Sequence, residues 1–139
     1  MSSDGSPKTI LLAEDEWRVR SFVLTLLQES GYNVVVAVDG FDALERAREH
    51  KGEIHLLLSN IQMPRMTGIE LATQLRIERP ETGILLISGM DAGMLVLDHG
   101  WQFLPKPLMP QMLKQKIEAM LNNQPESGRD ISDFGSPAE

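Results

Sequence analysis

The distribution of apolar residues along the chain predicts alternating strands and helices. Short, mostly apolar runs bounded by polar residues are typical of strands buried on both faces of a sheet. They occupy residues 10–13, 34–38, 54–58, 84–87 and 103–104. Between the runs, apolar residues recur at three- and four-residue steps, which predicts amphipathic helices. The clearest span residues 17–30, 68–79 and 110–121, with another marked by Phe41, Leu44 and Ala47. The first helix carries Val19, Phe22, Val23, Leu26 and Leu27.

Five strand–helix units in one chain predict an α/β fold, with a parallel sheet and helices on both faces. Each crossover between parallel strands is right-handed and must return over the sheet. In such folds the functional groups lie beyond the carboxyl ends of the strands. Those positions hold Glu14, Asp15, Asn60, Ser88 and Lys106, and we expect them on one rim of the sheet.

Composition and charge argue against several classes of protein. The 139 residues suit one domain with one core, and no apolar run approaches the ~20 residues that span a bilayer. A net charge of −7 argues against direct contact with nucleic acid. The chain has no cysteine, which excludes disulfides and thiolate metal sites. Because the N-terminus has no secretory signal, we expect a cytoplasmic protein without membrane contact.

The chain divides into one domain and two short ends. Residues 1–7 are small and polar, and residues 122–139 hold Gly, Pro, Ser and four acidic residues against one arginine. Neither end has enough apolar material to pack by itself, so both are expected to be flexible. The folded domain is predicted to span residues 8–121.

The residue types expected on the rim suit a hard divalent cation and a phosphoryl group. Mg²⁺ prefers oxygen ligands and keeps several waters, so two or three protein oxygens together with a phosphate would complete its coordination. A lysine ammonium balances the remaining charge of a phosphate, and a serine hydroxyl donates a hydrogen bond to one phosphate oxygen. The adjacent acids Glu14 and Asp15, with Ser88 and Lys106, provide these groups.

Four motifs in order resemble the receiver domains of response regulators. They are Ile-Leu-Leu-Ala-Glu-Asp-Glu at 10–16, Met-Pro-Arg-Met-Thr-Gly at 63–68, Ile-Leu-Leu-Ile-Ser-Gly at 84–89 and Phe-Leu-Pro-Lys-Pro at 103–107. The resemblance covers residues 8–121. It implies a CheY-like, flavodoxin-like fold with strand order 2-1-3-4-5 and a signalling role in a two-component system. The implied partners are a histidine kinase or phosphotransfer protein and a downstream protein, and the resemblance also allows a homodimer.

The resemblance assigns a role to each rim residue. Glu14, Asp15 and the backbone carbonyl of Gln62 would be Mg²⁺ ligands. Ser88 would be the hydroxyl that follows the phosphate, and Lys106 would be the ion-pair partner of the phosphate. Phe103 would be the aromatic residue whose rotamer changes on activation. The resemblance also implies a cis bond between Lys106 and the proline after it, where a cis peptide costs little.

One departure from the family pattern concerns the acceptor of the phosphoryl group. The family has an aspartate four residues before the proline of Met-Pro, and counting back from Pro64 gives Asn60. A neutral amide oxygen is a poor nucleophile and cannot form an acyl phosphate, so position 60 is not expected to accept phosphate. The loss of one negative charge is also expected to weaken Mg²⁺ binding, although the amide oxygen of Asn60 remains a possible ligand.

A second departure is the short connection between the fourth and fifth strands. Only 17 residues separate Ser88 from Lys106, and residues 91–99 leave room for barely two helical turns at ~3.6 residues per turn. We therefore expect a shortened fourth helix, which would alter the face that receivers commonly use for dimerisation or output.

The sequence leaves the origin of Asn60 and the function class open. Asn60 is either an introduced replacement that holds an ordinary receiver unphosphorylated or the mark of a natural pseudo-receiver that acts through protein contacts alone. The retained Ser88, Lys106 and acid pair favour the first. An enzyme on the same fold is the competing class, but a phosphatase would need a second acid two residues after its nucleophilic aspartate. A flavin protein would need a phosphate-binding loop after the first strand, which is missing, so we expect no enzyme.

Overall fold

The computed structural model describes residues 6–89 and 99–122, and within these ranges it contains five strands and four helices. The strands are β1 (Thr9–Ala13), β2 (Asn33–Ala37), β3 (Leu56–Asn60), β4 (Gly83–Ser88) and β5 (Gln102–Pro105). The helices are α1 (Trp17–Glu29), α2 (Gly40–Glu49), α3 (Gly68–Glu78) and α4 (Pro110–Asn122). None of the helices in these ranges is long and apolar enough to cross a membrane.

All five strands are parallel and lie in the order β2-β1-β3-β4-β5. The register places Ala13 opposite both Ala37 and Ser59, and Ser88 opposite Pro105. The carboxyl ends of the strands are therefore level with one another along one edge. This confirms the α/β class and the strand order that the sequence predicted.

Side chains from the sheet pack into two hydrophobic clusters, one on each face, because successive residues of a strand point in opposite directions. Leu11 and Leu57 belong to the cluster beneath α2 and α3. Leu12 and Leu58 belong to the cluster beneath α1 and α4. β1 and β3 are buried at every position, which explains why their sequences are nearly continuous apolar runs.

Local hydrogen bonds set the ends of several helices. The Thr67 hydroxyl accepts a hydrogen bond from the Glu70 N–H, and the Glu70 carboxylate accepts one from the Thr67 N–H, which forms a capping box at the start of α3. Asp39 caps α2 by accepting from the Asp42 N–H. Gly31 follows α1 with φ of 93°, a conformation that favours glycine.

The structure corrects some details of the predicted elements. β3 begins and ends two residues later than the predicted 54–58, and the Ile54 carbonyl that precedes it accepts a hydrogen bond from the Thr82 hydroxyl. Phe22 and Phe41 are about half exposed (48% and 50%), although their spacing suggested inward-facing positions. The predicted helix between β4 and β5 lies outside the described residues except for His99. The two ends that were predicted to be flexible also lie outside them, apart from residues 6–7 and 122.

Candidate functional site

The loop after β1 holds the two acidic residues in different environments. Glu14 is buried, with 5% of its surface exposed, whereas Asp15 is exposed. The Glu14 N–H donates to the Ala37 carbonyl at 3.2 Å, and the Glu14 carboxylate accepts from the Glu16 N–H at 3.0 Å. Arg20, one turn into α1, donates from Nη1 to the Glu14 carbonyl at 2.9 Å. These bonds fix the position of the buried carboxylate at the end of β1.

Burial is the main influence on the protonation of Glu14. It raises the pKa of the Glu14 carboxyl above its ordinary value, and the neighbouring Asp15 charge acts in the same direction. The Glu16 hydrogen bond and the Lys106 ammonium oppose this by stabilising the carboxylate. The Lys106 side chain, although exposed, is thus near enough to interact electrostatically with the acid at the end of β1.

Asn60 is the last residue of β3 and lies beneath the rim, with 7% of its surface exposed. Its Nδ2 donates to the Gln62 carbonyl at 3.2 Å. Its Oδ1 is buried and forms no hydrogen bond with any residue in the described ranges. A buried acceptor without a partner is unusual, because leaving it unpaired costs roughly 1–3 kcal/mol. The amide oxygen of Asn60 is therefore free to interact with a ligand.

Gly68 allows the loop after β3 to fold closely over Asn60. The Gly68 N–H donates to the Ile61 carbonyl at 2.8 Å. A Cβ at position 68 would lie 2.4 Å from the Asn60 carbonyl oxygen, which is far inside van der Waals contact. Arg65 takes the tight turn between them with φ of 72°. The glycine of the Met-Pro motif is thus needed for close backbone approach.

Ser88 and Lys106 meet where β4 and β5 end. The Lys106 N–H donates to the Ser88 carbonyl at 2.8 Å. The Ser88 hydroxyl is buried, with 1% of the residue exposed, and its oxygen has no hydrogen-bond partner among residues 6–89 and 99–122. The Lys106 ammonium forms no ion pair with any carboxylate in those ranges. The predicted cis peptide between Lys106 and Pro107 is present.

Gln62 and Phe103 are the remaining predicted residues. Gln62 is on the exposed loop after β3, and its carbonyl already accepts from Asn60. Phe103, in β5, is half-buried against the core cluster beneath α2 and α3. Glu14, Asn60 and Lys106 line a single cavity of about 250 Å³. Arg20 was not predicted from the sequence, because its hydrogen bond joins a helix to a loop carbonyl and belongs to no motif.

The site offers two carboxylates, an amide oxygen, a hydroxyl and an ammonium. The described residues contain no cluster of three acidic or histidine side chains that would hold a metal. Glu14, Asp15 and the free Oδ1 of Asn60 nevertheless form a set of hard oxygen donors, the type that Mg²⁺ prefers. These three oxygens are the groups of the described site that could hold a divalent cation.

Comparison with known proteins relates this arrangement to a large family. A family model described as the response regulator receiver domain matches residues 10–118. The response regulator receiver protein CpdR of Brucella abortus (strain 2308) is 38% identical over 118 residues, which cover 82% of this chain and 97% of CpdR. The sensor kinase CckA of the same strain is 37% identical over 120 residues, or 84% of this chain but 13% of CckA.

Solved structures show the same likeness. TrrA, a response regulator protein from Thermotoga maritima whose crystal structure is in complex with Mg²⁺-BeF, has a TM-score of 0.73 and 27% identity. The match covers 82% of this chain and 99% of TrrA. This chain therefore spans nearly the whole length of CpdR and TrrA, but only a small part of the kinase CckA.

Proposed function

The chain belongs to the response regulator receiver family, and from this we propose that it is a receiver module of a two-component phosphorelay whose phosphoacceptor position is held by Asn60. A histidine kinase or phosphotransfer protein would be its partner on the input side, and a downstream protein would read its state. We place this role in the cytoplasm and assign the module no enzymatic activity of its own.

The position of Asn60 is the observation that carries the proposal. Asn60 ends the central strand β3, with a buried and unpartnered side-chain oxygen beside Glu14 and Lys106. An aspartate here would direct a carboxylate oxygen at an incoming phosphoryl group. That oxygen would form a bond to phosphorus while the bond from phosphorus to the leaving group breaks. The oxygen of the neutral Asn60 amide is too weak a nucleophile for this step, so the module stays unphosphorylated.

The other rim residues have complementary roles in this proposal. The Lys106 ammonium, free of any ion pair with the described carboxylates, would balance the charge of the phosphoryl oxygens. The buried Ser88 hydroxyl, which has no described partner, would donate to one of those oxygens. Phe103 would change rotamer with Ser88 and alter the face that a partner reads.

Mg²⁺ would be held by Glu14, Asp15, the Oδ1 of Asn60 and the Gln62 carbonyl. When bound, it would neutralise part of the negative charge on the phosphoryl oxygens and the acids. The crystal structure of TrrA in complex with Mg²⁺-BeF favours this choice of metal. With two carboxylates instead of three, this chain would bind the ion more weakly than a receiver with aspartate at position 60.

An experiment with a small phosphodonor tests the proposal. The protein and its Asn60→Asp variant are incubated separately with Mg²⁺ and acetyl phosphate, and intact masses are measured. The variant is expected to gain about 80 Da, the mass of one phosphoryl group, as acetate leaves. Treatment with base should remove the added mass, because acyl phosphates hydrolyse readily. The unmodified protein is expected to gain nothing.

The control is the double variant Asn60→Asp, Lys106→Met, which keeps the new carboxylate but loses the ammonium. It should gain the mass far more slowly. If neither the protein nor Asn60→Asp gains mass, phosphoryl chemistry is lost from the site. The chain would then be a pseudo-receiver that acts only through protein contacts.

A further inference from the structure

A cavity of about 250 Å³ lies between α1 and the loop that joins β5 to α4. Its walls are mainly apolar and come from the ends of β1, β3 and β4, from α1 and from the loop after Lys106. The larger apolar side chains are Leu12, Val19, Val23, Leu58, Ile87 and Leu108. Phosphoryl groups and Mg²⁺ are strongly hydrated, so these apolar walls serve neither of them.

Polar groups line the cavity together with the apolar side chains. Asn60 and Glu14 line it, and both are more than nine-tenths buried. The Asn60 Oδ1 is a buried acceptor that no described residue satisfies. Lys106 also lines the cavity, and its ammonium is free of ion pairs within the described part of the chain. An apolar chamber with a few convergent polar groups is the usual form of a small-molecule site.

We propose that this cavity binds a small ring compound bearing one hydroxyl group, such as a monocyclic phenol. An apolar cavity of ~150 Å³ is large enough for benzene, so 250 Å³ accommodates a ring with a substituent. A hydroxyl both donates and accepts hydrogen bonds. The ligand hydroxyl would donate a hydrogen bond to the unpartnered Asn60 oxygen and accept one from the Lys106 ammonium. The ring would contact Val19, Val23 and Leu108.

The cavity is not fully enclosed, so a ligand can enter it from solvent. Val19 on α1 and Leu108 in the loop after β5 are only partly buried, whereas Leu12, Val23 and Leu58 are fully buried. The ligand would therefore enter between α1 and the loop. Since the cavity shares Glu14 and Asn60 with the proposed metal ligands, ring binding and Mg²⁺ binding are expected to compete.

This inference does not rest on phosphoryl transfer, so its test uses neither Mg²⁺ nor a phosphodonor. Phenol and benzene are titrated separately into ¹⁵N-labelled protein, and amide shifts are followed by NMR. We expect saturable shifts confined to residues around Val19, Val23, Asn60 and Leu108. Phenol should bind about threefold to tenfold more tightly than benzene, because one hydrogen bond to a buried group contributes that factor.

Three variants decide whether the cavity is the site. Val19→Phe and Leu108→Phe fill it from opposite walls and should each abolish saturable binding, whereas Leu24→Phe on α1, away from the lining, should not. Asn60→Leu should remove the advantage of phenol over benzene but retain benzene binding. The amide spectra also report whether each variant is folded. Shifts that never saturate, or saturable binding that survives in a folded Val19→Phe or Leu108→Phe protein, would overturn the proposal.

Discussion

Gly68 determines how closely the loop after β3 approaches the residue at the centre of the site. A side chain at this position would meet the Asn60 carbonyl oxygen first and then the Ile61 Cα, which would lie 3.0 Å from its Cβ. Both atoms belong to the backbone, so no rotation of a flexible side chain can make room. The close approach of the loop to the Asn60 backbone therefore depends on a residue eight positions later in the chain.

Substitution of Gly68 by alanine should destabilise the protein by about 1–3 kcal/mol, the usual cost of forcing an extra methyl group into a packed site. The loop must shift away from β3 to relieve the overlap, so the Asn60 side-chain amide signals should also move. Urea denaturation and NMR measure the two effects. Gly83→Ala is the matched control, because its Cβ would have ordinary contacts of 3.5 Å. Equal stability of Gly68→Ala and Gly83→Ala would contradict the prediction.

Two arginines connect the helices on one face of the sheet. Arg48 of α2 makes two hydrogen bonds to the Glu78 carboxylate of α3, at 3.0 and 2.6 Å. Arg79, just after α3, donates to the carbonyls of Ala47, His50 and Gly52 at 2.9 Å each. These bonds join the end of α2 and its following loop to the end of α3, opposite the functional rim.

The Arg48–Glu78 pair should make stability depend on pH in the acidic range. The hydrogen bonds from Arg48 lower the pKa of Glu78 from 4.5 to about 2. The folded state thus binds the proton less readily than the unfolded state does, and the stabilisation is complete above about pH 4.5. It is lost as the pH falls toward 2. The urea midpoints of the protein and of its Glu78→Gln variant should therefore differ at pH 7 and become nearly equal near pH 2.

The control for this pair is Glu45→Gln, on the exposed surface of α2, where the carboxylate has no hydrogen-bond or ion-pair partner within the described ranges. Its urea midpoint should remain close to that of the protein at both pH values. If the difference in urea midpoint between the protein and the Glu78→Gln variant stays constant from pH 7 to pH 2, the Glu78 carboxylate does not act through its charge.

The residues of the site are distant in sequence and lie at the ends of different strands. Glu14, Asn60, Ser88 and Lys106 come from four strands, and the parallel register brings the ends of those strands to one edge. The net charge of −7 attracts cations to the whole molecule. Any added acidic residue increases this general attraction slightly. Specific metal binding must therefore be separated from this general effect.

Asn60→Asp should bind Mg²⁺ at least about tenfold more tightly than the protein, a difference of roughly 1.4 kcal/mol, because it adds a third carboxylate to the oxygen set. Isothermal titration calorimetry at low ionic strength measures both affinities. Asn33→Asp is the matched control, since it adds the same charge at the start of β2, on the opposite edge of the sheet. If both variants bind Mg²⁺ equally well, position 60 does not contribute a ligand.

The resemblance of its motifs implied the strand order, and the sequence by itself determined the fold class and the rim on which the polar residues lie. It did so because buried parallel strands need continuous apolar runs, and because their carboxyl ends meet at one edge. The tertiary structure alone decided that Phe22 and Phe41 are half exposed. Helical spacing shows which residues share a face of a helix, but not which of them a neighbouring element covers.

Contacts between distant segments also decided the finer features of the site. The Thr82 hydroxyl donates to the Ile54 carbonyl just before β3, and Arg20 donates to the Glu14 carbonyl in the loop after β1. The free oxygen of Asn60 and the apolar cavity beside it exist only where three strand ends, a helix and a loop meet. Such features follow from distances between side chains in three dimensions, which the order of residues along the chain does not specify.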